Sequence, residues 1–234
     1  MVLAAGLGKR LRPITDTLPK PLVQIGGKPM IDWGLDCLEG AGVTKAVVNV
    51  HYLAEHLERH LAKRSSPQIV ISDERGVLLE SGGGVVNALP LLGDTPFFLI
   101  NSDTFWLEGD HPNLICLAEM FSSDYMDILL MLVTPEQATG YEGRGDFAMD
   151  MNNRLRRPLQ DETVPFVYAG AAVVHPRVFN GATKEPHSLN RQFNKAMADG
   201  RLFGMPMQGD WITVGTPDAI PAAEAVVRKR KHRI

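Results

Sequence analysis

The sequence has few of the features that mark specialised classes of protein. Its 234 residues contain only two cysteines, Cys37 and Cys116, and neither belongs to a C-x-x-C pair, so a disulfide framework and a cysteine metal site are not indicated. No apolar run approaches the roughly 20 residues that cross a bilayer, and the start lacks the order of a signal peptide. We therefore expect a cytoplasmic protein with reduced thiols.

Charge of either sign is not in large excess. The chain has 24 Lys and Arg against 27 Asp and Glu, a net charge of -3 that provides no field to attract nucleic acid. The basic tail at 228–233 is short, and we interpret it as the solvated end of a last helix. The seven histidines lack H-x-x-H or H-E-x-x-H spacing. These absences favour small-molecule substrates, with no nucleic acid and no membrane as partner.

Length and hydrophobic patterning predict one large α/β domain. Strand-like runs alternate with helical patterns, which is typical of a Rossmann-like, mixed and mostly parallel sheet flanked by helices. The predicted strands of the first half are 2–5, 46–50, 68–72 and 97–101, with helices at 30–41, 53–63 and 83–89. In the second half we predict strands near 127–133, 145–149, 166–175 and 202–207, with helices near 189–199 and 217–228.

The most informative segment lies at the start of the chain. The first predicted strand runs directly into Gly6-Leu7-Gly8-Lys9-Arg10. Two glycines let successive N–H groups approach anionic oxygens, and the cations add charge where phosphates would lie. The segment is neither a Walker A loop nor a G-x-G-x-x-G fingerprint, because Leu11 stands where the third glycine should be. The alternative is a tight turn with solvated arginines, which leaves Lys20, held between two prolines, unexplained.

Together with Pro19-Lys20-Pro21-Leu22, this segment resembles the signature of the sugar-nucleotide pyrophosphorylases, L-A-A-G-x-G-x-R-x-x-P-x-T followed by P-K-x-L. Every fixed position is matched. The resemblance implies a nucleotidyltransferase that joins a nucleoside triphosphate to a sugar 1-phosphate and releases pyrophosphate. It also implies the nucleotide-diphospho-sugar transferase fold as one domain over 1–234, with a nucleotide-binding half at about 1–110 and a sugar-binding half at about 111–234.

The resemblance implies three catalytic residues. Arg10 would meet the β- and γ-phosphates, Lys20 the nucleotide phosphate, and Asp103 a magnesium ion, since Mg²⁺ is commonly held by one or two carboxylates and by phosphate oxygens. Such a reaction needs charge neutralisation and in-line positioning more than a histidine base. Two alternatives stay open: Asp103 as a helix N-cap or turn aspartate, and Arg12 as an ion-pair partner of Asp16.

One position departs from the family pattern. The family has a second aspartate in a W-x-D-x-G-T segment, whereas this chain reads Trp211-Ile212-Thr213-Val214-Gly215-Thr216. Thr213 therefore stands where a second metal ligand is expected. Either Asp103, substrates and water hold the ion, or Asp210 reaches in, or activity is reduced.

The resemblance further implies a nucleotide site built largely from backbone groups. Glu80-Ser81-Gly82-Gly83-Gly84 precedes a helix, so its glycines permit close approach and its N–H groups would point outward; a plain glycine hinge is the alternative. The predicted nucleotide-binding residues are Leu3, Ala4, Ala5, Gly6, Gly8, Lys9, Arg10, Lys20, Glu80, Gly82, Gly83 and Asn101.

The predicted sugar-binding residues are Gly145, Asp146, Tyr168 and Gly170, in segments similar to those of the family. A glutamate-lysine-proline that holds the sugar phosphate in many members is missing here. Arg154, Arg156 or Arg157 replaces it, or these arginines form a solvated turn.

Within the family, the segments 79–84 and 143–147 and the missing glutamate-lysine-proline resemble the N-acetylmuramate-1-phosphate uridylyltransferases of cell-wall recycling. This favours UTP and N-acetylmuramic acid 1-phosphate as substrates. The alternatives are a mannose-1-phosphate guanylyltransferase, a glucose-1-phosphate nucleotidyltransferase and a non-catalytic regulatory domain that binds nucleotide sugars. We expect a monomer or weak homo-oligomer and, because Met1 lies almost inside the first strand, native residues upstream of it.

Overall fold

The computed structural model describes residues 1–231, so His232 and Arg233 of the basic tail lie outside the described residues. The strands are β1 (Val2–Leu3), β2 (Gln24–Ile25), β3 (Lys28–Pro29), β4 (Lys45–Val50), β5 (Gln68–Asp73), β6 (Phe97–Asn101), β7 (Thr104–Glu108), β8 (Ile128–Val133), β9 (Ala138–Thr139), β10 (Ala148–Met149), β11 (Leu155–Arg156), β12 (Val167–Val174), β13 (Leu202–Pro206) and β14 (Gly209–Thr213). The α-helices are α1 (Met30–Gly40), α2 (Ala54–Leu61), α3 (Glu80–Leu92), α4 (Asn113–Met120), α5 (Asn190–Ala198) and α6 (Ala219–Lys231).

A seven-stranded mixed sheet forms the centre, in the order β13-β8-β12-β6-β1-β4-β5. Neighbours pair in parallel except at β12, which is antiparallel to both β6 and β8. Parallel strands end at a common edge, where such sheets bind ligands. Leu3 and Asn101 are paired at this edge.

A second, three-stranded sheet in the order β7-β14-β9 lies beside this edge. β14 is antiparallel to β7, with Thr213 opposite Thr104 and Asp210 opposite Leu107. This sheet brings β14, from near the end of the chain, next to Asp103, which lies between β6 and β7. A β2–β3 hairpin and a β10–β11 pair complete the strands of residues 1–231.

The core follows from the alternation of side chains along the strands. In β8, Leu129 and Met131 face one buried cluster, while Ile128, Leu130 and Leu132 face a second on the other side of the sheet. A third cluster, which contains Leu11, Phe105 and Ile212, lies beneath the loop after β1 and packs it against β7 and β14. Because this loop has its own apolar support, it stays close to the sheet edge.

The predicted fold class is confirmed: the sheet is mixed and mostly parallel, with helices around it. Sequence patterning missed β7, β9, β11, β14, α4 and the β2–β3 hairpin. It also predicted a longer strand at 145–149, of which only Ala148–Met149 forms a strand. Phe147 makes an isolated bridge with Phe166, and Gly145 has a φ of +86°, outside the extended region. Among residues 1–231, no helix combines the length and apolarity required to span a bilayer.

Candidate active site

The candidate site lies where the loop after β1 meets the ends of β1 and β6. Two adjoining cavities open there, a first of about 270 Å³ and a second of about 200 Å³. Gly6, Lys20 and Asp103 line both of them. These three residues therefore lie at the junction of the two cavities, where a single ligand could extend from one cavity into the other.

Most of the predicted nucleotide-binding residues line these cavities. The first cavity is lined by Leu3, Ala4, Ala5, Gly6, Lys20, Glu80 and Asn101, among others. The second adds Gly8, Lys9 and Arg10. Backbone and small side chains thus surround the first cavity, while cations surround the second.

Gly8 shapes the loop for both conformational and steric reasons. Its φ of +60° lies in the left-handed region that favours glycine. A Cβ there would also lie 3.0 Å from Thr15 Cγ2 and 3.1 Å from Lys20 Cβ. The Thr15 hydroxyl donates to the Gly8 carbonyl oxygen at 2.8 Å, which fixes the turn. Gly8 therefore lets the loop close onto the segment that carries Lys20.

Lys20 and Asp103 form an ion pair at the junction of the two cavities. Lys20 Nζ lies 2.8 Å from Asp103 Oδ2, and the lysine side chain is 11% exposed against 39% for the aspartate. Pro19 is extended and Lys20 begins a short 3₁₀ turn, so the ammonium is held over the sheet edge. The pair places one cation and one anionic oxygen ligand within reach of the same bound phosphate.

Arg10 and Arg12 differ in their partners. Arg12 pairs with Asp16 at 3.1 Å, which confirms the alternative predicted for it. Arg10 has no carboxylate partner within residues 1–231, and a Cβ at Gly215 would lie 3.3 Å from its Nη1. The small residue after β14 therefore leaves room for the Arg10 guanidinium at the second cavity.

The threonine at the expected second metal position lies next to Asp103. Thr213 pairs with Thr104, and the following amide, that of Val214, donates to the Asp103 carbonyl oxygen at 3.4 Å. Asp210 lies three residues earlier on β14, which places it about 10 Å along the strand and on the opposite face. The strand geometry therefore favours Thr213 over Asp210 as the neighbour of Asp103.

The donors present suit a magnesium ion that shares its coordination with phosphates. No group of three or more His, Cys, Asp or Glu side chains within residues 1–231 is arranged to hold a metal by itself. Asp103 uses Oδ2 for Lys20, while its Oδ1 accepts no hydrogen bond from the described residues. Since Mg²⁺ is usually bound through one or two carboxylates plus phosphate oxygens, Asp103 fits the role predicted for it.

Gly82 and Gly83 do not line either cavity, although both were predicted to bind nucleotide. Their amides donate to the carbonyl oxygen of His187, at 2.8 and 3.3 Å. A Cβ at Gly82 would lie 2.5 Å from the His187 ring, and one at Gly83 would overlap the carbonyl oxygen of Glu185. These glycines make room for the loop before α5, and the start of α3 presents Glu80 and Ser81 to the first cavity instead.

The four predicted sugar-binding residues lie close together. Asp146 Oδ2 accepts from the Tyr168 amide at 2.9 Å, which joins two segments far apart in sequence. Gly170, with a φ of +79°, lets β12 pass against Thr104, whose Oγ1 a Cβ would overlap. Burial raises the pKa of the Tyr168 hydroxyl, and the Asp103 carboxylate raises it further. Tyr168 is therefore near Asp103, but none of the four predicted sugar-binding residues lines either of the two cavities.

Gly145 has a structural reason for being glycine, since a Cβ there would overlap the Val164 carbonyl oxygen.

Of the three arginines considered for the sugar phosphate, Arg156 is paired with Glu162 at 2.7 Å, and Arg154 lies over the Phe203 ring. Arg157 lies over Phe147 and has no carboxylate partner within 4 Å among the described residues. Burial lowers the pKa of Arg157. The nearby Asp146 carboxylate raises this pKa but does not cancel the effect of burial.

Sequence reasoning missed Asn49 and Ser102, which line the first cavity, and gave no role to Ser81. Asn49 had a visible signal, because it is the polar residue inside the apolar run of β4. Ser102 had none apart from its place before Asp103; its hydroxyl donates to the Leu3 carbonyl oxygen at 2.7 Å. Ser81 is placed by tertiary contact alone, since its Oγ accepts from the Leu189 amide at 2.9 Å.

Comparison with known proteins gives consistent matches along the whole chain. A family model described as nucleotidyl transferase matches residues 1–230. The N-acetylmuramate alpha-1-phosphate uridylyltransferase of Caulobacter vibrioides is 42% identical, over 96% of this chain and 95% of that protein. The enzyme of the same name from Neisseria meningitidis serogroup B is 32% identical, over 97% and 96%. The mannose-1-phosphate guanyltransferase of Hypocrea jecorina is 33% identical over 93% of this chain but only 60% of its own length.

Solved structures agree on the fold. The inositol-1-phosphate CTP transferase from T. maritima superposes with a TM-score of 0.78 at 21% identity, covering 100% of this chain and 96% of that one. A UDP-glucose pyrophosphorylase in complex with UDP-glucose gives a TM-score of 0.79 at 16% identity, covering 100% and 98%. At such identities the likeness concerns the fold alone.

Proposed function

The chain belongs to the nucleotidyl transferase family, and on that premise we propose that it transfers a uridylyl group from UTP to N-acetylmuramic acid 1-phosphate in cell-wall recycling. The two uridylyltransferases that it matches over nearly their whole length support this choice of substrates. The observation that carries the proposed chemistry is the Lys20–Asp103 ion pair at the junction of the two cavities.

In the proposed reaction, a phosphate oxygen of the sugar 1-phosphate attacks the α-phosphorus of UTP. The bond from that phosphorus to the oxygen bridging to the β-phosphate breaks, and pyrophosphate leaves with the electron pair. The nucleophile is already ionised near neutral pH, so no side chain has to remove a proton. Catalysis by this chain therefore consists of holding the two substrates in line and neutralising charge.

Each part of the site has a role in this proposal. Uracil and ribose occupy the first cavity against the backbone of residues 3–6, while Lys9 and Arg10 neutralise the β- and γ-phosphates in the second. Lys20 holds the α-phosphate at the junction. Asp103 would hold Mg²⁺ together with the substrate phosphates, and the ion would supply further neutralisation of phosphate charge.

The sugar is assigned to the second half of the chain, from about residue 111, around Gly145, Asp146, Tyr168 and Gly170. The nucleotide is assigned to the first half, up to about residue 110. Because one chain supplies the lining of both cavities, a monomer or weak homo-oligomer is sufficient. We place the reaction in the cytoplasm, where UTP is available.

The test is pyrophosphate release over a grid of nucleoside triphosphates against sugar 1-phosphates, with and without chelator. The expected result is highest kcat/KM for UTP with N-acetylmuramic acid 1-phosphate, and loss of activity in excess EDTA that is restored by Mg²⁺. Preference for GTP with mannose 1-phosphate would replace the proposed substrates. Binding of UDP-sugars without turnover of any pair would instead indicate a regulatory domain.

A further inference from the structure

Two buried polar residues support the first cavity: Asn49 is part of its lining, and Glu74 lies behind Asn49. Asn49, the last residue but one of β4, is 2% exposed, and Glu74, the residue after β5, is 3% exposed. A buried carboxyl group is costly unless hydrogen bonds compensate for the water that it loses. Burial raises the pKa of Glu74. The hydrogen bonds from Asn49 and Leu79 lower this pKa but do not cancel the effect of burial. Glu74 has no Lys or Arg partner within residues 1–231.

The two side chains connect opposite walls of the first cavity. The Ala4 amide donates to Asn49 Oδ1 at 2.7 Å, and Asn49 Nδ2 donates to Glu74 Oε1, also at 2.7 Å. Glu74 Oε2 then accepts from the Leu79 amide at 3.3 Å. Ala4 belongs to the loop after β1, whereas Leu79 immediately precedes Glu80 and Ser81 at the start of α3. Three hydrogen bonds therefore run from one wall to the other.

The packing around this Asn49–Glu74 pair leaves it little freedom. A Cβ at Gly84 in α3 would lie 2.7 Å from Glu74 Oε1 and 2.9 Å from Asn49 Nδ2. The glycine thus lets the helix backbone close over the pair. The side chains cannot shift outward without moving α3.

We propose that Asn49 and Glu74 are positioning residues that set the separation of the two cavity walls and thereby the affinity for the nucleotide. Neither has to touch the reacting atoms. The inference rests on the proposed function in one respect, namely that the first cavity holds the nucleoside part of a nucleoside triphosphate.

The pattern of donors explains why these two residue types are needed. Glu74 faces two N–H donors, so both of its oxygens must accept. A glutamine at this position offers one acceptor and one donor, and one of the two bonds is lost. An aspartate at position 49 would place a second carboxylate against Glu74, and the like charges repel. The double substitution restores every bond. The new carboxylate at position 49 would accept from Ala4 and from the new side-chain amide at position 74, whose oxygen accepts from Leu79.

The test compares Asn49→Asp, Glu74→Gln and the double variant N49D/E74Q, which keeps the net charge of the wild type. Each single change should raise KM for UTP about tenfold, the factor expected for loss of one charged hydrogen bond. KM for the sugar 1-phosphate should change less than about twofold, because its binding site lies elsewhere. The double variant should return KM for UTP to within about threefold of wild type. Asn87→Asp is the matched control, since Asn87 bonds Ser72 and the Asp73 carbonyl away from the cavities.

Amide exchange measured by NMR provides a readout that needs no substrate. Exchange at Ala4 and Leu79 should become at least about tenfold faster in the single variants and slow again in the double variant. Unchanged exchange in the single variants, or a double variant that neither folds nor recovers UTP binding, overturns the inference. If the wild type bound no nucleoside triphosphate, the proposed function would fail, while amide exchange would still decide whether this pair sets the two walls.

Discussion

Asp103 is the residue at which the charges of the site converge. It is paired with Lys20 and lies beside β14 and Tyr168. Because its side chain is 39% exposed, its ion pair contributes at most about 1 kcal/mol to stability. In the proposed reaction, Asp103 acts through the electrostatic field at the cavity junction, where a preorganised charge has most effect on a transition state.

Asp103→Asn should therefore lower kcat by about a hundredfold or more, the effect of removing one preorganised electrostatic group, with little change in melting temperature. Steady-state pyrophosphate release and thermal melting of the same preparation check both parts. Asp16→Asn is the control, because it removes a carboxylate from the same region that, within residues 1–231, pairs only with the exposed Arg12. Wild-type turnover in the D103N variant would show that neither the metal nor Lys20 needs this carboxylate.

Thr213 is the second residue-scale test, since the family resemblance predicts a second metal ligand at this position and Thr213 is paired with Thr104, the residue after Asp103. Thr213→Asp should lower the magnesium concentration that gives half-maximal rate, because a second anionic oxygen raises affinity for a hard cation. Titration of initial rate against Mg²⁺ measures it. Asp210→Asn, on the opposite face of β14, should leave the titration unchanged. A lower melting temperature with unchanged half-saturation would mean that residue 213 does not face the metal.

At the scale of elements, the start of α3 shows how a helix can be fixed by a distant loop. Gly82 and Gly83 in its first turn leave room for the chain around His187, and the His187 carbonyl oxygen accepts hydrogen bonds from both of their amides. The helix N-terminus is therefore satisfied by protein, and its position determines where Glu80 and Ser81 meet the first cavity.

Gly83→Ala should reduce the free energy of unfolding by about 1–3 kcal/mol, the usual cost of overpacking, because its Cβ would overlap the Glu185 carbonyl oxygen. The sign of this change in unfolding free energy is informative, because in a helix without such a contact Ala is more favourable than Gly by about 1 kcal/mol. Gly40→Ala, in α1 with no atom within 4 Å of the new Cβ, should stabilise instead. Urea unfolding of both variants separates the two effects. Stabilisation by Gly83→Ala would mean that the 185–187 loop can shift away from the new Cβ at little cost in free energy.

At the scale of the whole molecule, the Asp127 carboxylate links the ends of β8, β12 and β13 at the sheet edge opposite the site. Asp127 precedes β8, and its Oδ1 accepts from Arg177 Nε at 2.6 Å and from Arg201 Nε at 2.7 Å. These arginines follow β12 and precede β13. Burial by itself would raise the pKa of the Asp127 carboxyl, but the hydrogen bonds from Arg201 and Arg177 outweigh it and lower that pKa from 3.8.

A carboxyl whose pKa is lowered by folding stabilises the protein above its unfolded pKa, and the contribution is lost as pH falls through the folded value. Asp127→Asn should therefore cost about 1.5–3 kcal/mol of unfolding free energy at pH 7, with a smaller cost below about pH 4. Denaturant unfolding at several pH values measures it. The exposed Asp124→Asn should show no such trend, and KM for UTP should be unchanged in both. A pH-independent cost would contradict the assignment.

The amino-acid sequence by itself determined the local parts of this protein. Apolar runs and glycine positions predicted the central strands and the loop after β1, because period-2 burial and left-handed turns act over a few residues. The cationic loop and the fixed Lys20 likewise indicated phosphate chemistry through residue type and spacing. The predictions for Leu3, Asn101 and Asp103 followed from the resemblance of their segments to the family, and these residues lie together because parallel strands end at one edge of the sheet.

The tertiary structure decided what depends on residues far apart in the chain. β7 and β14 were missed because each is defined by pairing with the other, across about a hundred residues, rather than by a local pattern. Gly82 and Gly83 could serve a ligand or a loop equally well until the position of His187 was known. Asn49 was visible as a polar residue in an apolar strand, but only the fold shows that Glu74 and Ala4 satisfy it. Hydrogen bonds and close packing choose partners in space, and a sequence gives only order along the chain.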